Sequence, residues 1–230
     1  MQLEQRTPKN SHIAHGEEIL LGLYPNSSPW YTVKHDVKSL KKDEIIYNTN
    51  DRARDIYIIT EGRVKIGSLG EDKKDVIKSI FVENDIFGEL AVTGELLRTD
   101  YAKSLEDNTK LYVFSAEDVL EAMKENQSLS NQVMHILGSR IRKTENRLAS
   151  LLHKDARTRI IDFLRDWALE KGRKVGFETL IKNHFTHKDM ASLTGTSRQT
   201  VTTVLNNLKE KNIINFDRRR ILIRDMELLN

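Results

Sequence analysis

The sequence predicts an α+β chain built in three successive parts: a small β-roll, a long central helix and a winged helix-turn-helix. Three observations carry this. Short β-branched and aromatic runs, separated by turn residues, fill about Val37 to Ser115. Helical patterning takes over at Ser115 and dominates to about Lys154. Two short capped helices joined by a glycine turn occupy Phe185 to Asn212, with two strand-like runs behind them. The implied segments are 1–36 as a lead-in, 37–118 as a sensor roll, 119–154 as the central helix and 155–230 as the winged unit.

Composition narrows the function classes. Hydrophobic residues make up 38% and charged residues 31% of the 230, a mix that still buries a core. No apolar run exceeds four residues (Ile56–Ile59, Leu111–Phe114), whereas a membrane-spanning helix needs about 20. Met1 to Gly22 shows no apolar leader core, so a cytoplasmic protein without membrane contact is expected. There is no cysteine, which excludes disulfides, thiolate zinc sites, cysteine nucleophiles and cysteine-ligated iron–sulfur clusters. The net charge is only +3, but Asp155 to Asn230 carries 15 Lys and Arg against 10 Asp and Glu. The rest of the chain is slightly acidic. A basic C-terminal third points to nucleic acid.

All three prolines, Pro8, Pro25 and Pro29, lie in the lead-in, which holds one short helical stretch, Glu17 to Leu23. His12 and His15 are too few ligands for a metal site and read as surface residues. In the roll, the strand-like runs are Glu44–Tyr47, Asp55–Ile59, Arg63–Ile66, Asp75–Val82 and Lys110–Phe114. Turns are expected at Asn48–Asp51, Glu61-Gly62, Gly67–Asp72, Glu83–Asp85 and Glu106–Asn108. Ser115 is an expected N-cap with Asp118 three residues on. Along the central helix Met134, Leu137, Ile141, Thr144, Leu148 and Leu151 alternate spacings of three and four, an a/d seam suited to a dimer. The plainer alternative is a helix packed on its own roll. A hinge is expected at His153 to Asp155, then a helix from Ala156 to Glu170. Gly172 and Gly176 break the chain.

The helix-turn-helix carries most of the chemistry. Thr186 and Asp189 cap its first helix, Gly195 makes the turn, and Ser197 caps the second, Arg198 to Lys211. Val201, Val204, Leu205 and Leu208 form the inward face of that second helix. Its outward face offers Arg198 for guanine and Gln199 for adenine, with Thr202, Thr203 and Asn206 beside them. Ser197 and Thr200 suit phosphate. Ile213–Phe216 and Ile221–Ile223 flank Arg218, Arg219 and Arg220, the basic tip of a wing that adds salt-dependent phosphate contacts.

With its parts in this order the chain resembles the Crp/Fnr family of bacterial transcription regulators, over roughly Val37 to Leu229. Two stretches carry the resemblance. Phe87-Gly-Glu-Leu-Ala91 followed by Arg98-Thr99 is similar to the family's FGELA and R(S/T) phosphate-binding cassette. Ser197-Arg-Gln-Thr-Val201 is similar to its SRETV recognition helix. The resemblance implies a jelly roll like that of cyclic-nucleotide-binding domains and an effector-gated homodimer. It implies binding to double-stranded DNA at a palindromic operator, and RNA polymerase as a protein partner. It places an effector, a cyclic nucleotide among the candidates, at Gly88, Glu89, Leu90, Arg98 and Thr99, with Thr144 and Glu145 reaching in from the central helix. Gly88 permits close backbone approach, and Arg98 offers a bidentate cation. The alternative is a Glu89–Arg98 pair that only closes the roll.

The chain departs from the family pattern at several positions. Asp100 stands where cAMP binders carry Ala, and Glu145 where the adenine contact is Ser. Gln199 replaces the Glu of relatives that read TGTGA or TTGAT half-sites, and Thr203 replaces an Arg, so a different half-site is expected. Haem sensing would draw an axial ligand from His35, His135 or His153, none of which has a recognisable context. A cupin-like enzyme would need several barrel histidines, and only His35 lies near. No catalytic residue, metal or iron–sulfur cluster is expected.

Overall fold

The computed structural model describes residues 28–70, 75–182, 185–217 and 219–229. The expected helix Glu17 to Leu23, His12, His15 and Arg218 lie outside the described residues.

The described chain enters through a 3-10 turn, Pro29–Thr32, which buries Trp30 edge-on against Phe114 at 5.3 Å. The roll consists of β1 (Asp36–Leu40), β2 (Ile45–Tyr47), β3 (Asp55–Glu61), β4 (Val64–Leu69), β5 (Asp75–Phe81), β6 (Ile86–Phe87), β7 (Tyr101–Ser104) and β8 (Thr109–Ser115). They form two antiparallel sheets ordered β1-β8-β3-β6 and β2-β7-β4-β5. In the first sheet the two runs richest in Ile and aromatics, β3 and β8, are the inner strands, where both faces can be buried. Ile56 to Ile59 of β3 are buried without interruption. The expected turn at Gly67 is instead a continuation of β4, where Gly67 pairs with Tyr101. A Cβ there would lie 2.7 Å from the Tyr101 hydroxyl, so this glycine serves close packing rather than a corner.

Ser115 caps a helix as expected, its hydroxyl accepting from the Asp118 N–H at 3.4 Å. The single helix expected over 119–154 is, however, two: Ala116–Glu125 and Gln127–His153. Asn126 sits between them in an extended conformation, and its Oδ1 accepts from the Leu129 N–H at 3.1 Å. An Asn side chain that satisfies the next turn's N–H competes with helix continuation. The break folds the short helix back. Val119, Leu129, Val133 and Ile136 therefore share one buried cluster with Trp30 and Phe114. The front of the long helix is anchored on its own roll, and the remainder runs past it.

Lys154 ends the long helix, and Asp155 caps the next, Ala156–Lys171, accepting from the Thr158 N–H at 2.7 Å. This joint falls at the expected hinge. The winged unit adds β9 (Arg173–Val175), β10 (Glu178–Lys182), helices His187–Thr194 and Arg198–Glu210, β11 (Ile214–Phe216) and β12 (Arg220–Ile223). Its sheet is ordered β11-β12-β10-β9. Between Gly172 and Gly176, expected only to break the chain, and beyond them runs the β9–β10 hairpin; Gly176, at φ 62°, supplies its turn. Ile160, Leu164, Met190, Val201, Leu205 and Ile221 form the core of this unit. Ile77 and Ile80 of β5 belong to the same cluster, so the roll and the winged unit are packed against each other. No helix among the described residues is long and apolar enough to cross a membrane.

Candidate effector cavity and nucleic-acid interface

A cavity of about 370 Å³ opens between the roll and the long helix. Gly88, Glu89, Leu90, Arg98 and Thr99 line it, and Thr144 reaches it from the helix. Gly88 adopts a left-handed φ of 79° and caps the 3-10 helix Glu89–Thr93. A Cβ on Gly88 would crowd the Asp55 carbonyl at 3.0 Å and Arg98 Nη1 at 3.3 Å. Glycine is thus required twice over, by conformation and by the approach of Arg98.

Arg98 is only 3% exposed. Its Nη1 donates to the Gly88 carbonyl at 3.1 Å and its Nη2 to the Asp55 carbonyl. Its guanidinium lies 4.4 Å from the centre of the Tyr47 ring. Its buried Nε has no hydrogen-bond partner among the described residues. Burial pushes the hydroxyls of Tyr47 and Tyr57 upward, the latter to about 12, so both rings beside Arg98 are neutral. A buried guanidinium held by carbonyls and neutral tyrosine rings is a cation suited to an anionic ligand.

The expected alternative, a Glu89–Arg98 pair, is not formed. Glu89 instead meets Arg140 of the long helix, Nε to Oε1 at 3.3 Å. Arg140 also donates to the Ile86 carbonyl at 2.6 Å and stacks 4.2 Å from the Phe81 ring centre. Asp100, the departure that places an acid beside the cassette, pairs with Lys78 at 3.4 Å. Glu145 does not line this cavity and is exposed. It follows Thr144 by one residue, a rotation of about 100° around the helix, which turns it away from its own roll. Sequence reasoning missed Arg140, Lys143 and Arg147 as cavity residues. Their spacing of three and four, on the stripe that holds Thr144, was the available signal.

The seam residues have separate fates. Leu137 packs partly against the roll cluster. Met134, Ile141, Leu148 and Leu151 are exposed, Ile141 by 60%. Thr144 turns its hydroxyl back to the Arg140 carbonyl at 2.8 Å.

In the winged unit, Thr186 and Asp189 form the expected capping box, and Gly195 ends the first helix in a left-handed conformation. Ser197 accepts from the Thr200 N–H at 3.0 Å, and the two hydroxyls meet at 2.8 Å. Val201, Val204, Leu205 and Leu208 are buried beneath the second helix. Arg198, Gln199, Thr203 and Asn206 are exposed on its other side. Thr202 departs from the expectation. Its hydroxyl bonds His187 Nδ1 at 2.8 Å and donates to the Arg198 carbonyl at 3.0 Å, so it joins the two helices. At the wing tip, Asp217 accepts from the N–H groups of Arg219 and Arg220 at 2.7 and 2.8 Å, which hold its carboxyl below the usual range. The Arg220 guanidinium leans on the same carboxylate at 3.5 Å, while Arg219 is exposed. Among the described residues no group of His, Asp and Glu could hold a metal ion.

Two family models match separate stretches of the chain. A family model described as a cyclic nucleotide-binding domain matches residues 37–126, and one described as a Crp-like helix-turn-helix domain matches 158–230. A global nitrogen regulator of Synechocystis is 30% identical over 190 residues, covering 81% of this chain and 84% of its own length. A CRP-like cAMP-activated global transcriptional regulator of Mycobacterium tuberculosis is 27% identical over 213 residues, covering 92% and 94%. The solved structure of FixK2 from Bradyrhizobium japonicum has the same fold, with a TM-score of 0.75 at 21% identity, covering 86% of this chain and 96% of that one.

Proposed function

This chain belongs to the Crp/Fnr family of transcription regulators, with a cyclic nucleotide-binding domain and a Crp-like helix-turn-helix domain, and from that premise we propose that it works as a homodimer gated by a small anion. The observation that carries the gating is Arg98, buried on the cavity wall with carbonyl partners and an unused Nε. Gly88, Glu89, Leu90, Arg98 and Thr99 hold the effector, and Thr144 and Arg140 bring the long helix into contact with it. The exposed Met134, Ile141, Leu148 and Leu151 pair with a second copy around Thr144. Each protomer then presents Arg198, Gln199, Thr203 and Asn206 to one of two major grooves about 34 Å apart. Thr186, Ser197, Thr200, Arg219 and Arg220 contact phosphate. The functional division runs as a sensor over 37–118, a dimer helix to 154 and a DNA-binding unit from 155.

Calorimetry of the full chain with cyclic AMP and cyclic GMP tests the gating. Binding by the wild type is expected to be lost or weakened about 100-fold in Arg98→Gln, the size of one strong charge-assisted contact. No heat with the wild type would remove the nucleotide reading. The wing has its own test. Replacing Arg219 and Arg220 with Ala should lower the slope of log affinity against log salt by about 2, roughly one per lost phosphate contact, with base preference unchanged.

A further inference from the structure

Arg147 stands where three parts of the molecule meet. It projects from the long helix, lines the effector cavity and is half-buried. Its Nη1 donates to the Lys78 carbonyl on β5 at 2.7 Å, and its Nη2 to the Ser192 carbonyl at 3.3 Å, near the end of the first helix of the helix-turn-helix. Of the cavity's other cations, Lys78 pairs with Asp100, Arg140 with Glu89 and Lys143 with Glu170. Among the described cavity cations, Arg147 and Arg98 are the two that bond main-chain carbonyls and meet no carboxylate of the described residues.

The end of that first helix is gripped from both sides of the hinge. Arg159, beyond the hinge, holds the Thr194 carbonyl at 2.7 Å and the Gly195 carbonyl at 2.9 Å, and also reaches the Lys154 carbonyl. It travels with the winged unit. Arg147 belongs to the sensor side, so its grip must break when the winged unit turns. Two other links span the same junction, both away from the cavity: Ser192 Oγ accepts from the Ile77 N–H at 3.4 Å, and Lys171 meets Asp85 at 3.0 Å.

We propose that Arg147 is the residue that couples effector to DNA: without an anion in the cavity it latches the winged unit to the roll, and an anion draws it off the Ser192 carbonyl. The inference rests on the reading of the cavity as an anion site. A guanidinium buried against neutral carbonyls gains more from a phosphate or carboxylate than from a carbonyl, because charge-assisted bonds are roughly twice as strong. Latch and effector compete for the same donors, so each weakens the other by the same factor. The docked arrangement is the resting one, because only an empty cavity leaves this cation to a neutral partner.

The test needs no ligand. Affinity of the full-length protein for a selected operator duplex is measured by fluorescence anisotropy, alongside amide exchange. Arg147→Met should bind DNA at least about tenfold more tightly than the effector-free wild type, a change of about 1.4 kcal/mol. Amides of Ile77, Lys78 and Ser192 to Gly195 should exchange faster. Arg147→Lys keeps the charge but cannot span both carbonyls, and should fall between; it carries the test if Arg147→Met fails to fold. A purely structural Arg147 would lower thermal stability and leave DNA affinity unchanged or weaker, and that result overturns the proposal. If anion binding depends on Arg98 while the Arg147 variants bind DNA as the wild type does, the coupling fails and the effector reading stands. If no anion binds and Arg147→Met still tightens DNA binding, the effector reading fails and the latch stands.

Discussion

Changing Ile141 to Asp is expected to turn the proposed dimer into a monomer and to cut operator affinity by about 10²- to 10⁴-fold, the range lost when two linked contacts become one. Ile141 is 60% exposed on the single chain and lies between Thr144 and the front of the helix that the roll already covers. It makes no use of the roll, so the substitution leaves the protomer's own core intact. In a symmetric pair each substitution appears twice across the seam. Two carboxylates would then face one another in a desolvated a/d layer, which costs far more than the lost apolar contact. Sedimentation velocity reads the mass and anisotropy reads the affinity. A dimer that persists with unchanged affinity would show that copies pair through another surface. Leu137→Asp should behave differently, lowering the stability of the protomer itself, because Leu137 packs against the roll cluster.

Replacing Arg198 with Ala is expected to weaken binding to the preferred operator by about 1–3 kcal/mol per half-site and to erase preference at one base position. Arg198 opens the second helix, where the first turn meets base edges, and its side chain is exposed. A residue that only neutralised phosphate would instead weaken all sequences alike and flatten the salt dependence. Thr202→Val gives a contrast. Because Thr202 bonds His187 and the Arg198 carbonyl, its loss should reduce stability with little change in base preference. Binding to a library of single-base operator variants separates the two.

Much of this was legible in the sequence because it depends on short-range chemistry. Ser115, Thr186 and Ser197 all cap the helices they precede, and the inward face of the second helix is the one its spacing gave. What escaped depends on contacts between distant segments. β1 and β7 lack a β-branched run and are held by their neighbours, β8 and β4. The β9–β10 hairpin took its identity from pairing with β12. Asn126 was hidden because an Asn can sit in a helix or end one, and packing of the short helix on the long one decides. At the cassette, nothing local said that Arg140 would claim Glu89 and leave Arg98 to the cavity. Nor did β5 reveal that its Ile77 and Ile80 would serve the core of another unit. Arg147 was one basic residue among several on a charged helix until the fold set it between β5 and Ser192.

The central claim is that two copies of this chain read DNA together through the Arg198 to Asn206 face. In vitro selection from a random duplex pool with the full-length protein tests it most directly. Binding by a symmetric pair should enrich an inverted repeat with half-site centres about one helical turn apart, bound with a steep salt dependence. Recovery of a single unrepeated site, or no enrichment at low salt, would contradict it.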